Sequence, residues 1–219
     1  MGFLIKIKNK SIEEIKVFLD ITIDHLIKGN VIGFPTNSVY GLGCDPTNLD
    51  AVERLYRLKF RDPSKGFLLL VSDFEEAKRV ADFNEAGLKL ASHFWPGQLT
   101  LILNKKKPNI IPYEVTANED TIGLRVPENK IILEILRSLK SKGLFGGLVG
   151  TSANYSGEEP ATSGQEVSNT FLGPIDIIID AGESKSKIPT TIVDCTGNKI
   201  KILREGMINK EQINKVISI

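Results

Sequence analysis

The stretch Asn30–Asp45, NVIGFPTNSVYGLGCD, is the part of the sequence on which the interpretation of the fold depends. Its first part, Val31–Phe34, is a short apolar run that follows a helix-stopping Gly-Asn pair, so it predicts a buried strand. Ligands of open α/β sheets usually bind at strand ends. The loop after this strand offers hydroxyls for such a site at Thr36, Ser38 and Tyr40. A strand that simply ends in a polar turn fits these residues equally well.

Composition indicates an ordinary globular protein. The chain has 219 residues, of which 41% are apolar and 25% charged, and its net charge is +1. This balance gives no global case for binding nucleic acid or a membrane, although a local basic patch stays open. The two cysteines lie far apart without C-x-x-C spacing, so we expect a reduced, cytoplasmic protein without a zinc site. No apolar run approaches membrane-spanning length, so no membrane partner is expected.

The order of predicted elements gives the fold class. Helical and strand patterns alternate over the first half of the chain, and the second half is richer in strands. A capping box at Ser11–Glu14 predicts a helix that ends near Gly29, and the apolar run Phe67–Val71 predicts a central strand. Two helical patterns are predicted at residues 74–83 and 85–94. We therefore expect an α/β fold, a twisted mixed β-sheet with helices packed on it, forming a single domain over residues 1–219.

Cations cluster in the predicted loop that follows the helix 48–59. Lys59, Arg61 and Lys65 lie within seven residues that proline and glycine interrupt. Such a run is usually a solvated surface, but it is also what a phosphate clamp requires. The run Lys105–Lys107 fits either a solubility patch or part of a surface that binds polyanions, and the solubility patch is the favoured interpretation.

Arg125 lies between apolar residues in the predicted strand 121–126. Arginine is seldom buried without a partner, so Arg125 should meet either a bound anion or a structural salt bridge. A second hydroxyl-rich loop, TSANYSG at Thr151–Gly157, offers many hydrogen-bond donors and no charge. It suits a small polar ligand or phosphates, and it equally suits a turn rich in Ser and Asn.

Common catalytic motifs are absent from the sequence. It contains no G-x-x-x-x-G-K-[ST], G-x-G-x-x-G, G-x-S-x-G or H-E-x-x-H pattern, and neither of its two histidines adjoins a candidate nucleophile. The separated cations and hydroxyl loops suit a polyanionic substrate instead. Phosphoryl and nucleotidyl transfer need mainly positioning and electrostatics from a protein.

Six blocks carry a resemblance to a known family. They are FPTNSVYGLGCDP at Phe34–Pro46, LKFRDPSKGFLLLVSD at Leu58–Asp73, FWPGQLTLIL at Phe94–Leu103, TIGLRVP at Thr121–Pro127, GTSANYSGEEPAT at Gly150–Thr162, and PTTIVD…ILREG at Pro189–Gly206. In this order and spacing, the sequence resembles the YrdC family of L-threonylcarbamoyl-AMP synthases over most of its length.

The resemblance implies an enzyme of the nucleotidyltransferase class. Its substrates would be ATP with Mg²⁺, L-threonine and bicarbonate or CO₂, and its products threonylcarbamoyl-AMP and pyrophosphate. The product would pass to the downstream t6A transferase complex, which modifies position 37 of tRNA. Longer family members carry an extra C-terminal domain, and we expect the single-domain form here.

The same resemblance implies roles for individual residues. The catalytic residues would be Lys59, Arg61 and Arg125. The ATP-binding residues would be Lys59, Arg61, Lys65, Thr121, Ser152, Asn154 and Arg204. The threonine-binding residues would be Thr36, Tyr40, Arg125, Thr151 and Thr190. No protein-held metal is expected. Three positions depart from the family pattern, namely Asn37, Phe60 and Gly66.

Two other functions fit the sequence less well. The first is a non-enzymatic module that binds double-stranded RNA through a basic concave face, in which case affinity would fall steeply with salt. The second is a carbamoyl-transfer domain like that of hydrogenase maturation proteins, which normally lies in a much longer chain.

Overall fold

The computed structural model describes residues 2–184 and 186–218. Within them, eleven strands and seven α-helices occur. The strands are β1 (Phe3–Lys6), β2 (Ile32–Phe34), β3 (Gly41–Gly43), β4 (Leu68–Val71), β5 (Ala81–Asp82), β6 (Leu99–Lys105), β7 (Thr121–Arg125), β8 (Gly147–Ser152), β9 (Ile177–Asp180), β10 (Thr191–Asp194) and β11 (Lys201–Arg204). The helices are α1 (Ile12–Ile27), α2 (Leu49–Leu58), α3 (Phe74–Val80), α4 (Glu85–Phe94), α5 (Lys130–Ser141), α6 (Gly164–Thr170) and α7 (Lys210–Ile217).

The strands form one mixed sheet in the order β1-β9-β2-β3-β8-β4-β7-β6-β10-β11, and β5 pairs with β6. The pairs β1/β9, β2/β9, β4/β7 and β6/β10 are parallel, and the remaining pairs are antiparallel. The predicted mixed sheet with packed helices is therefore confirmed.

Side-chain caps fix where the helices begin. The Ser11 hydroxyl accepts from the Glu14 amide, and the Glu14 carboxylate accepts from the Ser11 amide, at 3.3 and 2.8 Å. At the start of α2, the Asn48 side chain accepts from the Ala51 amide, and at the start of α7, Asn209 and Gln212 form a second reciprocal pair. These contacts satisfy backbone donors that the first helical turn leaves free, and they confirm the helix starts expected from sequence.

Two apolar layers lie on the two faces of the sheet. On one face, α1 and α5 pack against residues such as Leu70 of β4 and Leu148 of β8. On the other face, residues of α2, α4 and α7 pack against Leu69, Leu101 and Leu124. Adjacent residues of β4 thus belong to different layers, as the alternation of side chains in a strand requires.

Part of the first face stays accessible. Leu68, Gly123, Ile102 and Ile192 point to the same side as Leu70, because strand register pairs Leu68 with Gly123, Gly123 with Ile102, and Ile192 with Thr100 on β6. Leu68, Ile102 and Ile192 are only partly buried, whereas their neighbours Leu69, Leu101 and Val193 have no exposed surface. We call the area formed by Leu68, Gly123, Ile102 and Ile192 the open face.

Two segments differ from the sequence expectations. Residues 41–43, expected in a loop, form β3, and a Cβ at Gly43 would lie 2.2 Å from the Val149 carbonyl oxygen, so only glycine permits this close pairing. The helix expected at residues 74–83 ends at Val80 because residues 81–82 pair with β6.

Lys105 is not part of a solubility patch, since it is only 4% exposed. It ends β6 on the side of Leu103, and its ammonium lies 4.1 Å from the centre of the Tyr113 ring and 3.3 Å from the Thr116 hydroxyl. The aromatic ring and hydroxyl compensate the buried charge.

None of the helices within residues 2–184 and 186–218 has the length and apolar character that crossing a membrane requires.

Candidate functional site

Strand β7 brings two predicted site residues onto the open face. Thr121, Gly123 and Arg125 alternate with the buried Ile122 and Leu124, so all three point to the same side. At about 3.3 Å per residue, Thr121 and Arg125 are about 13 Å apart along the strand. A Cβ at Gly123 would lie 3.1 Å from Ile102 Cδ1 and 3.2 Å from Leu68 Cβ. The missing side chain therefore leaves a flat floor between the two ends of β7.

Arg125 marks one end of this floor. The side chain is 5% exposed, and its Nε donates to the Gly97 carbonyl at 2.7 Å. Its Nη2 is buried and has no hydrogen-bond partner among the described residues. Burial, opposed by the charge of Glu128 and aided by that of Arg204, lowers the pKa of Arg125 to about 10. The residue is thus a charged group with one donor directed at no protein acceptor.

Arg204 and two threonines complete the Arg125 end. Arg204 donates through Nε to the Thr190 carbonyl and through Nη2 to the Thr190 hydroxyl, at 2.9 and 3.0 Å. The Thr190 hydroxyl lies 3.3 Å from the Thr100 hydroxyl. Thr100 comes one residue before Leu101, which pairs with Leu124, so continuing the β6/β7 register places Thr100 opposite Arg125. Burial lowers the pKa of Arg204 as well. Two guanidinium groups and a pair of hydroxyls therefore adjoin the same end of the open face.

Lys59 lies at the opposite end, near Ser152. It caps the C-terminus of α2, is 1% exposed, and donates through Nζ to the carbonyls of Ser152 and Asn154, the latter at 2.6 Å. Strand β8 runs antiparallel to β4, which places Ser152 at the end where β4 and β7 begin. Burial, aided by the charge of Arg61, lowers the pKa of Lys59 to about 7.

Arg61 belongs to the same end as Lys59. Its Nε donates to the Lys65 carbonyl at 2.8 Å and its Nη2 to the Gly66 carbonyl at 2.7 Å. Its guanidinium also lies 4.9 Å from the centre of the Phe67 ring. Gly66 is required here, because a Cβ would lie 2.7 Å from the Thr116 carbonyl carbon. The loop is therefore ordered around Arg61 rather than being a free charge run.

None of the four cations at the two ends forms a salt bridge within the described part of the chain. The four are Lys59, Arg61, Arg125 and Arg204. The structural salt bridge left open for Arg125 is therefore not found there. Partly or fully buried cations without acidic partners favour binding of an anion.

The loop after β8 is ordered by its own side chains. The Ser152 hydroxyl donates to Asn154 Oδ1 at 2.6 Å, and Asn154 Nδ2 donates to the carbonyls of Tyr155 and Glu158, each at 2.8 Å. Phe60 has a left-handed φ of 48°, is 77% exposed, and lies 5.4 Å from the Tyr155 ring. The exposed Phe60 ring adjoins Lys59, has the partly buried Tyr155 ring beside it, and could stack on a planar ligand.

Two residues predicted to bind threonine are not brought to Arg125. The Tyr40 hydroxyl donates to the Gly182 carbonyl at 2.7 Å and accepts from the Ala181 amide at 3.0 Å, so it holds the loop after β9. Thr151 follows Val149 on the face opposite the open face. Thr36 is partly buried, and its hydroxyl donates to the Val39 carbonyl at 2.6 Å.

Three residues of the site escaped the sequence analysis. Gln98 directly precedes β6, Thr100 is the second residue of β6, and Gly123 lies in the middle of β7. A polar residue inside the apolar block QLTLIL was the available signal for Thr100. Gln98 and Gly123 become recognisable only once the pairing of β6 with β7 and β10 is known.

A protein-only metal site is not found in residues 2–184 and 186–218, where no three His, Cys, Asp or Glu side chains are grouped for a metal ion. The side chains at both ends of the open face are cations, hydroxyls and amides, which do not fit a dedicated Mg²⁺ site.

Comparison with known proteins places the chain in a family. The sequence profile Sua5_yciO_yrdC, described as "Telomere recombination", matches residues 24–206. The chain belongs to the Sua5/YciO/YrdC family. This confirms the resemblance inferred from the six sequence blocks.

Several proteins of this family are similar to the chain over most of its length. Threonylcarbamoyl-AMP synthase of Pyrococcus abyssi is 33% identical over 99% of this chain and 61% of its own length. Putative threonylcarbamoyl-AMP synthase of Methanocaldococcus jannaschii is 34% identical over 94% of this chain and 93% of its own length. The crystal structure of P. abyssi Sua5 complexed with L-threonine matches with a TM-score of 0.89, at 31% identity, over 99% of this chain and 61% of that one. The chain thus spans about three fifths of the P. abyssi relative.

Proposed function

We propose that the chain is an L-threonylcarbamoyl-AMP synthase that uses L-threonine, bicarbonate or CO₂, and ATP. The observation that carries the proposal is the pair of cation groups, Arg125/Arg204 on the open face and Lys59/Arg61 at the strand end where β4 and β7 begin, which have no acidic partners among the described residues. Such an arrangement suits a triphosphate next to a small zwitterion. Relatives named as this enzyme support it over the RNA-binding alternative.

The amino acid would bind at the Arg125 end. The free Nη2 of Arg125 would donate to the substrate carboxylate, while Nε keeps its bond to Gly97 and so fixes the guanidinium. Thr190 would offer its hydroxyl, and Thr36 adds a partly buried one from the loop after β2. Because the hydrogen bond to Gly97 already fixes the Arg125 guanidinium, little side-chain conformational entropy is lost when the carboxylate binds.

ATP would extend from this end toward Lys59. The phosphates would meet Lys59, Arg61 and Lys65, with Arg204 reaching the junction of the two substrates. The hydroxyls of Thr121 and Ser152 and the amide of Asn154 would contact the nucleotide. Because the Ser152 hydroxyl already donates a hydrogen bond to Asn154, these two residues would mainly form a rigid edge of the nucleotide site rather than supply free donors.

The reaction needs little covalent chemistry from the chain. The amino nitrogen of L-threonine forms a C–N bond to CO₂ with loss of a proton, or to bicarbonate with loss of water, which gives N-carboxy-threonine. Its carboxylate then attacks the α-phosphorus of ATP, the bond from that phosphorus to the bridging β-phosphate oxygen breaks, and pyrophosphate leaves. Arg125 would fix the nucleophile, and Lys59, Arg61 and Arg204 would stabilise charge that develops on the phosphates. Mg²⁺ would enter bound to ATP and neutralise part of the phosphate charge. The product would then serve the t6A modification of tRNA through a downstream transferase complex.

The decisive assay is incubation with ATP, Mg²⁺, bicarbonate and L-threonine. We expect pyrophosphate release that depends on threonine, together with threonylcarbamoyl-AMP detected by mass spectrometry. Omitting bicarbonate from degassed buffer should abolish both signals. ATP consumption that ignores threonine, or no consumption at all in a folded preparation, would contradict the proposal.

A further inference from the structure

Two buried polar atoms at the Arg125 end lack hydrogen-bond partners within the described residues. One is the donor Nη2 of Arg125, and the other is the acceptor Oε1 of Gln98. Native proteins leave few such groups unpaired, so each needs an explanation. A donor and an acceptor that are both unpaired in the same neighbourhood together indicate a ligand with complementary groups.

Backbone contacts place Gln98 next to Arg125. The Gly97 carbonyl accepts from Arg125 Nε at 2.7 Å, and the Gly97 amide donates to the Val126 carbonyl at 2.9 Å. The Gln98 carbonyl accepts from the Thr191 amide at 3.1 Å. Gln98 is therefore hydrogen-bonded to β10, and Gly97 is hydrogen-bonded to Arg125 and Val126 at the end of β7.

Gln98 directly precedes β6 and lies next to the residues of the Arg125 end. Gln98 lies two residues before Thr100, and its carbonyl continues the ladder between β6 and β10. Thr100 is opposite Arg125 in register, and its hydroxyl contacts that of Thr190. The Gln98 backbone thus lies between the peptide that Arg125 contacts and the strand that carries Thr100.

The two unpaired atoms match an α-amino acid rather than a simple carboxylate. Arg125 can donate to the carboxylate, and the carboxamide oxygen of Gln98 can accept from an N–H of the amino group. A ligand without the amino group would leave Gln98 Oε1 unpaired, which penalises its binding. The N–H also remains after the nitrogen is carboxylated, so the same contact persists in the N-carboxy intermediate.

We propose that Gln98 is a positioning residue that accepts a hydrogen bond from the amino nitrogen of the amino-acid substrate and thereby selects α-amino acids over their desamino analogues. That the substrate is threonine rests on the proposed function. The contact between Gln98 and the amino group would form with any α-amino acid bound at Arg125.

The test compares two ligands across three proteins. Calorimetry measures binding of L-threonine and of 3-hydroxybutanoate, which keeps the carboxylate and hydroxyl but lacks the amino group. The proteins are the wild type, Gln98→Met, which keeps the length and removes the acceptor, and Gln98→Glu, which keeps an acceptor. We expect Gln98→Met to lose about tenfold in threonine affinity with 3-hydroxybutanoate affinity unchanged, and Gln98→Glu to retain most of the preference for threonine.

Each outcome decides the inference. An unchanged affinity ratio in Gln98→Met, with wild-type threonine binding intact, overturns the role of Gln98 and leaves the proposed function standing. If threonine does not bind but another α-amino acid does, the same ratio is measured with that ligand and its desamino analogue, so the inference survives while the proposed substrate fails. Absence of binding by any α-amino acid overturns both. Thermal unfolding confirms that the variants are folded, and a rise in KM for threonine without a rise for ATP separates positioning from a structural defect.

Discussion

Removing the Arg125 guanidinium should separate binding of the amino acid from binding of ATP. In Arg125→Ala, the unpaired Nη2 donor and the charge disappear from the end of the open face that is distant from Lys59. A hydrogen bond to a charged group contributes about 1.5–3 kcal/mol. Since 1.4 kcal/mol corresponds to a factor of ten, L-threonine affinity should fall by about 10- to 150-fold. ATP affinity should change much less, because its phosphates are proposed to meet Lys59 and Arg61.

Isothermal titration of each ligand with purified variants measures this directly. Arg137→Ala is a matched control, since Arg137 is an exposed arginine on α5 and is not part of the proposed site. The Gly97 carbonyl loses its partner in Arg125→Ala, so the free energy of unfolding must be measured alongside. An equal loss of threonine and ATP affinity in a folded variant would refute the assigned role of Arg125, and so would unchanged threonine affinity.

Three further perturbations test other parts of the site. Because burial lowers the pKa of Lys59 to about 7, its ammonium charge is lost as pH rises through 7, so kcat/KM for ATP should fall from about pH 7 to about pH 9. Lys59→Arg stays charged and should flatten this profile, and identical profile shapes would contradict the charge assignment. Tyr40→Phe should lower the free energy of unfolding by about 1–3 kcal/mol without changing KM for threonine, because the Tyr40 hydroxyl bonds to the backbone of Ala181 and Gly182. A raised KM with unchanged stability would instead restore the predicted threonine contact. Gly123→Val should raise KM for both substrates by placing methyl groups on the floor between the two ends of β7, whereas Gly197→Ala, at a site where a Cβ meets nothing closer than 3.7 Å, should have no effect.

The sequence predicted the elements well where local signals are strong. The capping box at Ser11 and the alternation of apolar residues set helix and strand positions that the structure confirms. The loop prediction failed at residues 41–43 because their strand character comes from pairing with β2 and β8, not from intrinsic preference. Lys105 was placed wrongly because a charged triplet gives no sign that its first member faces inward.

The site could be predicted only in part for a similar reason. A lone arginine in an apolar strand is recognisable from sequence, and Arg125 is indeed buried with an unpaired Nη2 donor. Convergence of β6, β7 and β10 depends on nonlocal register, so the neighbours Gln98 and Thr100 could not be assigned from sequence. Tyr40 has a hydroxyl in the right loop, but only the structure shows that the backbone after β9 occupies it.

The central claim is that one accessible sheet face holds a triphosphate at Lys59 and Arg61 and an amino acid at Arg125. A crystal structure with L-threonine and a non-hydrolysable ATP analogue tests it most directly. The account predicts the threonine carboxylate at about 3 Å from Arg125 Nη2, with the phosphates contacting the Lys59–Arg61 end of the same face. Ligands bound on different faces of the sheet, or phosphates remote from Lys59, would contradict it.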